Sequence, residues 1–216
     1  MKIKLFTAVG MTFLTLSCQA VLYSTNWNSG FANGGMIPDG NLSGWSDTRN
    51  VSTMPGGILN SVAVDLHLTG GWNGDLYAYL VHGSGFCVLL DAVGTPGLTY
   101  GYGNPGMNVT LADNGTILGL AQGNIHAYGG AGVPTGIWNP DATSGSLGSF
   151  LLPTPNGTWS LFMADRSTGE ITTVQSWGLQ LDIVPVPEVE TWVAAGLAGA
   201  FGAFWLNRQL LVRKRD

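Results

Sequence analysis

A strict alternation of apolar and polar side chains in the first third of the chain constrains the fold more than any other feature. Apolar residues stand at positions 62, 64, 66 and 68, and Ser61, Ala63, Asp65 and His67 stand between and beside them. A period of two is typical of a half-buried β-strand, since successive side chains point to opposite faces of a sheet. A second alternation runs from 173 to 183, with Val174 on its polar face and Trp177 on its apolar face. Two such segments predict sheet rather than helix.

Glycine and proline divide the remainder into short pieces. The chain has 33 Gly and 10 Pro, which disfavour helices and favour turns. Further strands are predicted at residues 75–81, 86–90, 107–111 and 157–165. Residues 22–55, 91–106 and 117–156 are predicted to be mainly loops, with short strands in the first. Many short strands joined by such turns predict an all-β fold, an antiparallel β-sandwich or jelly roll.

The N-terminus has the composition of an export signal. Lys2 and Lys4 precede an apolar stretch from Leu5 to Leu16, and Cys18-Gln19-Ala20 follows as a small-x-small cleavage site. This order predicts a signal peptide over residues 1–20. The alternative is a lipoprotein with Cys18 as the lipidated residue. Either interpretation places the following domain, residues 21–183, outside the cytoplasm.

The C-terminal segment, residues 184–216, is built differently from the rest. An apolar run at 192–206 predicts one hydrophobic helix, and Arg213-Lys214-Arg215 follows it. Fifteen helical residues span about 22 Å, less than the roughly 30 Å of hydrocarbon in a bilayer. The terminal basic cluster indicates the cytoplasmic side. A plain C-terminal membrane anchor is one interpretation of this short transmembrane helix.

A more specific interpretation comes from the residues before the helix. Val186-Pro187-Glu188, the hydrophobic helix and the Arg-rich end together resemble the PEP-CTERM sorting signal of Gram-negative bacteria, with Val189 where that family has a second proline. The resemblance implies cleavage near the motif by a membrane protease, exosortase. It further implies transient anchoring in the inner membrane, then a location at the cell surface or in the extracellular polysaccharide.

The domain between the two signals is strongly acidic. Its basic residues are Arg49 and Arg166, against ten acidic residues, so its net charge is −8. Nucleic acid is excluded as a partner, since phosphate binding needs clustered Lys and Arg. A divalent cation suits this charge better. Cys87 is the single cysteine left after signal removal, in an apolar strand, which predicts a buried thiol.

A second resemblance covers residues 58–183. The segment Asn156-Gly157-Thr158-Trp159, followed by Asp165, Gly169 and Ser176-Trp177, is similar to the end of the P domain of subtilisin-like proprotein convertases. The alternating strand at 62–68 and Gly74-Asp75-Leu76 resemble its beginning. The resemblance implies a β-sandwich without catalytic residues of its own.

Asp75 and Asp165 are the candidate metal ligands. Each stands at a strand end beside a glycine turn. Carboxylates in such positions cap turns by accepting backbone N–H bonds. The alternative is Ca²⁺ coordination, because this ion prefers several oxygen ligands from loops.

Trp72 and Trp138 are the candidate ligand-stacking residues. Both belong to a larger set of aromatic residues in predicted loops, which also contains Trp27, Trp45, Tyr100, Tyr102 and Tyr128. Exposed aromatic faces suit stacking on sugars. The alternative is that they pack beneath the long glycine-rich loops.

The three histidines, His67, His82 and His126, show neither metal-ligand spacing nor a triad pattern. His82-Gly83-Ser84-Gly85 resembles a nucleophile turn, but no helix follows it. We therefore expect a non-catalytic exported protein with a structural or adhesive role. The alternative is a carbohydrate- or calcium-binding module with a specific ligand.

Overall fold

The computed structural model describes residues 19–54, 57–94, 101–113, 121–130, 132–151, 154–185 and 196–205. These contain nine strands: β1 (Val21–Trp27), β2 (Asn41–Val51), β3 (Gly57–Gly70), β4 (Leu76–His82), β5 (Gly85–Asp91), β6 (Met107–Ala112), β7 (Thr135–Trp138), β8 (Gly157–Asp165) and β9 (Thr172–Pro185). Short 3-10 helices lie at Ala32–Gly35, Asn73–Asp75, Ile125–Ala127 and Leu147–Phe150. Residues 196–205 are α-helical. Over the described ranges, no helix is both long and apolar enough to cross a membrane.

The strands form two sheets. One has the order β1-β9-β3-β6-β7 and the other the order β2-β8-β4-β5. The strand pairs are antiparallel, except that β6 and β7 run parallel. Both sheets contribute to one apolar core, in which Trp159 of β8 and Trp177 of β9 are the largest fully buried side chains. The prediction of an all-β, two-sheet fold is confirmed.

The alternating segment forms a strand as predicted, although Ala63, predicted on its polar face, is buried. Val62, Val64, Leu66 and Leu68 are buried in β3, while His67 is exposed. The prediction for Val174 is wrong, because this side chain is buried. The β3–β9 register shifts between His67, which pairs with Ser176, and Leu68, which pairs with Val174. The extra residue in β9 is Gln175, and this bulge moves Val174 onto the core face.

Two regions predicted as mainly loops contain regular strands. Within 22–55 the structure has β1 and the 11-residue β2, so Trp27 and Trp45 are strand residues and not loop residues. Strand β2 is mostly polar because only one face meets the core, and its exposed side chains bond across to β8, as between Thr48 and Ser160 (2.8 Å). Within 117–156, β7 joins the edge of the first sheet beside β6.

Several predicted signals lie outside the described residues. The signal peptide is described only at Gln19 and Ala20, and the sorting motif Val186-Pro187-Glu188 is not described. The hydrophobic helix predicted at 192–206 is described over 196–205. Its large apolar side chains are exposed, with Phe201 at 72% and Phe204 at 71%.

Candidate functional site

Three carboxylates meet at one end of the β4–β8 pair, and we call Asp39, Asp75 and Asp165 the acidic end. Asp165 is the last residue of β8 and pairs with Leu76, the first residue of β4. The backbone N–H of Gly169 donates to both oxygens of Asp39, at 3.0 and 3.2 Å, which fixes the turn after β8. The structure thus brings together the two carboxylates that the sequence analysis named as candidate metal ligands, and adds a third.

Asp165 is both a turn cap and a buried charge. Its Oδ1 accepts a bond from the backbone N–H of Ser167 (3.1 Å), as the capping interpretation predicts. Its side chain is only 1% exposed, and its Oδ2 is buried without a hydrogen-bond partner in the structure. Burial raises the pKa of this carboxyl, and the negative charges of Asp75 and Asp39 raise it further, against opposing bonds from the backbone of Ser167 and Gly40. Asp165 is therefore a buried carboxyl whose charge the surrounding backbone satisfies only in part.

Asp75 ends the 3-10 helix Asn73–Asp75 and is 6% exposed. Burial raises the pKa of its carboxyl; nearby Arg166 opposes this effect and Asp39 adds to it. Its backbone links its own turn to the turn after β8. Its N–H donates to the Trp72 carbonyl, and its carbonyl accepts a bond from the N–H of Arg166. Asn73, in the same turn, donates from Nδ2 to the Gly106 carbonyl (2.7 Å) but has a buried Oδ1 without a partner.

A metal site is not complete at this place. Across the described residues, no group of three or more His, Cys, Asp or Glu side chains is arranged to hold a metal ion. Asp75 and Asp165 supply an acidic environment, whereas Ca²⁺ takes six to eight oxygen ligands at short distance.

A cavity of about 370 Å³ opens beside the acidic end. It is lined by residues from three separate turns and loops: Trp72, Asp75, Gly101, Gly103 and Ser167. Trp72 is 40% exposed, and its ring lies against Gly169, where an added Cβ would approach it to 2.9 Å. The loop at Gly101 also requires glycine, because its φ is +56° and a Cβ would lie 2.6 Å from the Cα of Gly74. Small residues therefore bring the loops close enough to shape this cavity.

Trp138 lies in a different environment. It is a strand residue of β7, half-buried against the core, and it contacts Tyr128 edge-to-face with a centroid distance of 5.5 Å. Its Nε1–H donates to the carbonyl of Thr135 (2.9 Å). The packing interpretation fits Trp138, and the structure does not bring it together with Trp72.

The histidines are held by structural bonds. His82 is buried at the end of β4, parallel to the Trp159 ring at 4.0 Å, and its ring nitrogens lie 2.9 and 3.3 Å from the carbonyls of Thr158 and Thr154. Stacking on the core tryptophan buries this histidine, although it is the last residue of its strand. His126 Nδ1 lies 2.8 Å from the Asp91 carbonyl and 3.3 Å from Asp141 Oδ2.

Asp141 and Cys87 are two further buried groups with reactive side chains. Asp141 Oδ2 accepts a bond from the backbone N–H of Asp91 (2.8 Å); burial raises the pKa of its carboxyl and this bond opposes the effect. No sequence pattern predicted this role, because the partners belong to irregular segments far apart in the chain. Cys87 is buried as predicted, and burial raises the pKa of its thiol to about 12.

Comparison with known proteins gives limited similarity. No family model matches the chain, and no curated protein matches it. Among solved structures, the serine protease of Aeromonas sobria in complex with its chaperone is 15% identical, with a TM-score of 0.42 over 77% of this chain and 27% of that chain. The same protease alone is 14% identical, with a TM-score of 0.41 over 76% of this chain and 27% of that chain. The chain thus spans about a quarter of either protease, and its function has to be inferred from its own residues.

Proposed function

We propose that this chain is a non-catalytic exported protein of the cell surface or extracellular matrix of a Gram-negative bacterium. Its β-sandwich, of jelly-roll type and similar to the P domain, has a structural or adhesive role. A signal peptide exports it, and the segment around Val186-Pro187-Glu188 is the sorting signal for an exosortase-like protease. Extracellular polysaccharide is the proposed partner at its destination.

The observation that carries this proposal is the contrast between the sandwich and helix 196–205. The sandwich packs most of its large apolar side chains into one core, with exceptions such as Leu42, whereas Leu197, Phe201 and Phe204 of the helix are exposed together on one surface. An exposed apolar surface of this kind is a mark of contact with a membrane or another protein. It supports a tail that enters the membrane before processing.

The bonding of His82 supports a structural role for this residue. A general base needs a free ring nitrogen within hydrogen-bond reach of the proton that it removes. Both ring nitrogens of His82 lie close to backbone carbonyls, and its ring is covered by Trp159.

The test of this proposal is the intact mass of the full chain produced in an exosortase-bearing Gram-negative bacterium, measured in membrane and medium fractions. We expect a mass with termini near Val21 and Glu188. A chain with Pro187→Ala and Glu188→Ala is the matched control and should keep its tail in the membrane fraction. A wild-type mass that includes Arg215 in every fraction would contradict the sorting proposal and leave a simple anchored domain.

The second candidate is a ligand-binding module for a carbohydrate or Ca²⁺, and the cavity beside Trp72 favours it. For Ca²⁺, the support is the unpartnered Oδ2 of Asp165 near Asp75 and Asp39. Thermal unfolding of the full chain in Ca²⁺ and in EDTA tests this ligand. A metal that binds only the folded state raises the melting temperature, and the stabilisation grows with the logarithm of the ligand excess. Equal melting temperatures contradict Ca²⁺ binding.

A further inference from the structure

The cavity at the acidic end combines an aromatic wall with carboxylates. Trp72 exposes 40% of its surface there, and Asp75 is part of the lining. Asp39 raises the pKa of the Asp75 carboxyl, and Asp75 and Asp39 both raise that of Asp165. Negative charge concentrated around one cavity favours a positively charged occupant.

The protein itself supplies little positive charge to this place. The two basic residues of the sandwich are Arg49 and Arg166. Arg49 donates to Asp47 Oδ2 and to the Ser29 carbonyl. The positive charge of Arg166 acts to lower the pKa of Asp75, but its guanidinium donates a hydrogen bond to Asp91 Oδ1 at 2.8 Å. Arg166 thus offsets part of the charge of Asp75 while its hydrogen bond goes to Asp91, which leaves a net negative charge at the acidic end for a cationic ligand to meet.

The shape of the cavity fits an organic cation better than a metal ion. A metal ion needs several oxygen ligands around one point, and the described part of the chain has no group of three acidic, His or Cys side chains that meets this need. A small organic cation needs only a carboxylate for its charged group and an aromatic face for the rest of the molecule. The cavity of about 370 Å³ also lies within the roughly 300–1,000 Å³ typical of small-molecule sites.

Two hydrogen-bond acceptors without partners belong to residues next to the lining of this cavity. Asp165 Oδ2 and Asn73 Oδ1 are buried without partners, and both residues are about 1% exposed. Asp165 is bonded to the backbone of Ser167, which lines the cavity, and Asn73 follows Trp72 in the chain. Neither residue is among the described lining residues, so the contacts open to a ligand come from the lining itself, chiefly from Trp72, Asp75 and Ser167.

We infer that this cavity binds a protonated amino sugar, with the sugar ring against Trp72 and the ammonium group at Asp75. The hydroxyl of Ser167 and the backbone of the Gly101–Gly103 loop lie in position to meet the ring hydroxyls. This inference rests on the proposed binding-module function and specifies its ligand class as a cationic rather than a neutral sugar.

The test is calorimetric titration of the full chain, in mild detergent, with a β-1,4-linked glucosamine tetramer at a pH that keeps its amines protonated. The matched ligands are the fully N-acetylated tetramer, which has no charge, and the neutral glucose tetramer. We expect the amine to bind roughly tenfold more tightly than either, as charge-assisted contacts are about twice as strong as neutral ones.

Variants locate the site. Asp75→Asn and Trp72→Ala should each weaken binding of the amine roughly tenfold, whereas Trp138→Ala, which lies in another environment, should leave it unchanged. Asp39→Asn removes a partly exposed charge without opening the core and should weaken binding severalfold by electrostatics alone. Melting temperatures of all four variants show which of them are folded, and Asp39→Asn keeps the test valid if Asp75→Asn fails to fold.

Three outcomes overturn the inference. Equal affinity for the acetylated tetramer removes the requirement for charge, although a sugar-binding module remains. Unchanged binding in folded Trp72→Ala and Asp39→Asn places the site elsewhere. If the chain binds Ca²⁺ and no amine, and if Asp75→Asn abolishes the Ca²⁺ binding, then the acidic end is a metal site. The intact-mass measurement is independent of all three, so failure here leaves the export proposal standing.

Discussion

The two ends of the β4–β8 pair use the same strands but differ in how completely their polar groups are satisfied. At one end, His82 stacks on Trp159, both His82 nitrogens lie near carbonyls, and Trp159 Nε1–H donates to the Pro155 carbonyl (3.1 Å). We call this pair the closed end. At the acidic end, Asp165 Oδ2 has no partner and like charges face one another. The first arrangement stabilises the fold, and the second leaves capacity for a ligand.

This difference separates structural from functional polar groups. Buried polar atoms in native proteins are nearly always hydrogen-bonded, so an exception calls for a physical reason. Both ends are buried, and both belong to the same sheet, so burial and strand position do not account for it. A binding role for the acidic end does account for it.

The largest effect is expected at the closed end. Trp159→Ala removes a fully buried ring that contacts both His82 and Phe150. We expect it to lower the free energy of unfolding by about 3–5 kcal/mol, through lost burial and the cavity left behind. Urea unfolding followed by circular dichroism measures this loss. A loss below about 1 kcal/mol would show that the closed end is not structural.

Substitution of the two candidate stacking residues should lower the free energy of unfolding by smaller and unequal amounts. Trp138→Ala removes a half-buried ring packed on Tyr128 and the core, and we expect a loss of about 1–2 kcal/mol. Trp72→Ala removes a ring with 40% exposure, and we expect a loss below about 1 kcal/mol. The same unfolding assay compares them, and the reverse order would contradict the assignment of Trp72 to a binding surface.

The pH dependence of stability offers a subtler comparison. The pKa of Asp75 is raised above its ordinary value of 3.8 in the folded state, so the folded chain holds this proton more tightly than the unfolded chain does. The resulting destabilisation is absent below pH 3.8, develops as the pH rises through the raised pKa, and is complete above it. Asp75→Asn should therefore gain stability relative to the wild type on going from pH 3 to pH 7. A difference that does not change with pH in urea unfolding would rule this out.

The sequence allowed the prediction of elements whose pattern is local. The bounds of β8 were predicted at 157–165 as observed, and the burial pattern of β3 followed from its alternation. The turns that carry Asp75 and Asp165 were also recognised, because each combines a carboxylate with glycine at a strand end. These features depend on neighbours in sequence, which is the information that a single chain supplies.

Features that depend on distant partners were not predicted. Strand β2 is too polar to be recognised alone, and pairing with β8 specifies it. The bulge at Gln175 arises from the register between β3 and β9. The cavity requires Gly101 and Ser167 to meet at Trp72, and no local pattern encodes a meeting of three loops. The two ends differ in whether their buried polar side-chain atoms have hydrogen-bond partners, and this can be seen only in the three-dimensional structure.

The most direct test is the free energy of unfolding of Asp165→Asn at pH 7, without added ligand. The amide oxygen can keep the bond from the Ser167 N–H, while the substitution removes a buried charge that Asp75 and Asp39 disfavour. We predict stability equal to the wild type or higher by up to about 1 kcal/mol, since relieving an unfavourable buried charge offsets the lost carboxylate. A loss of about 2 kcal/mol or more would mean that Asp165 is a structural residue. The acidic end would then stabilise the fold as the closed end does.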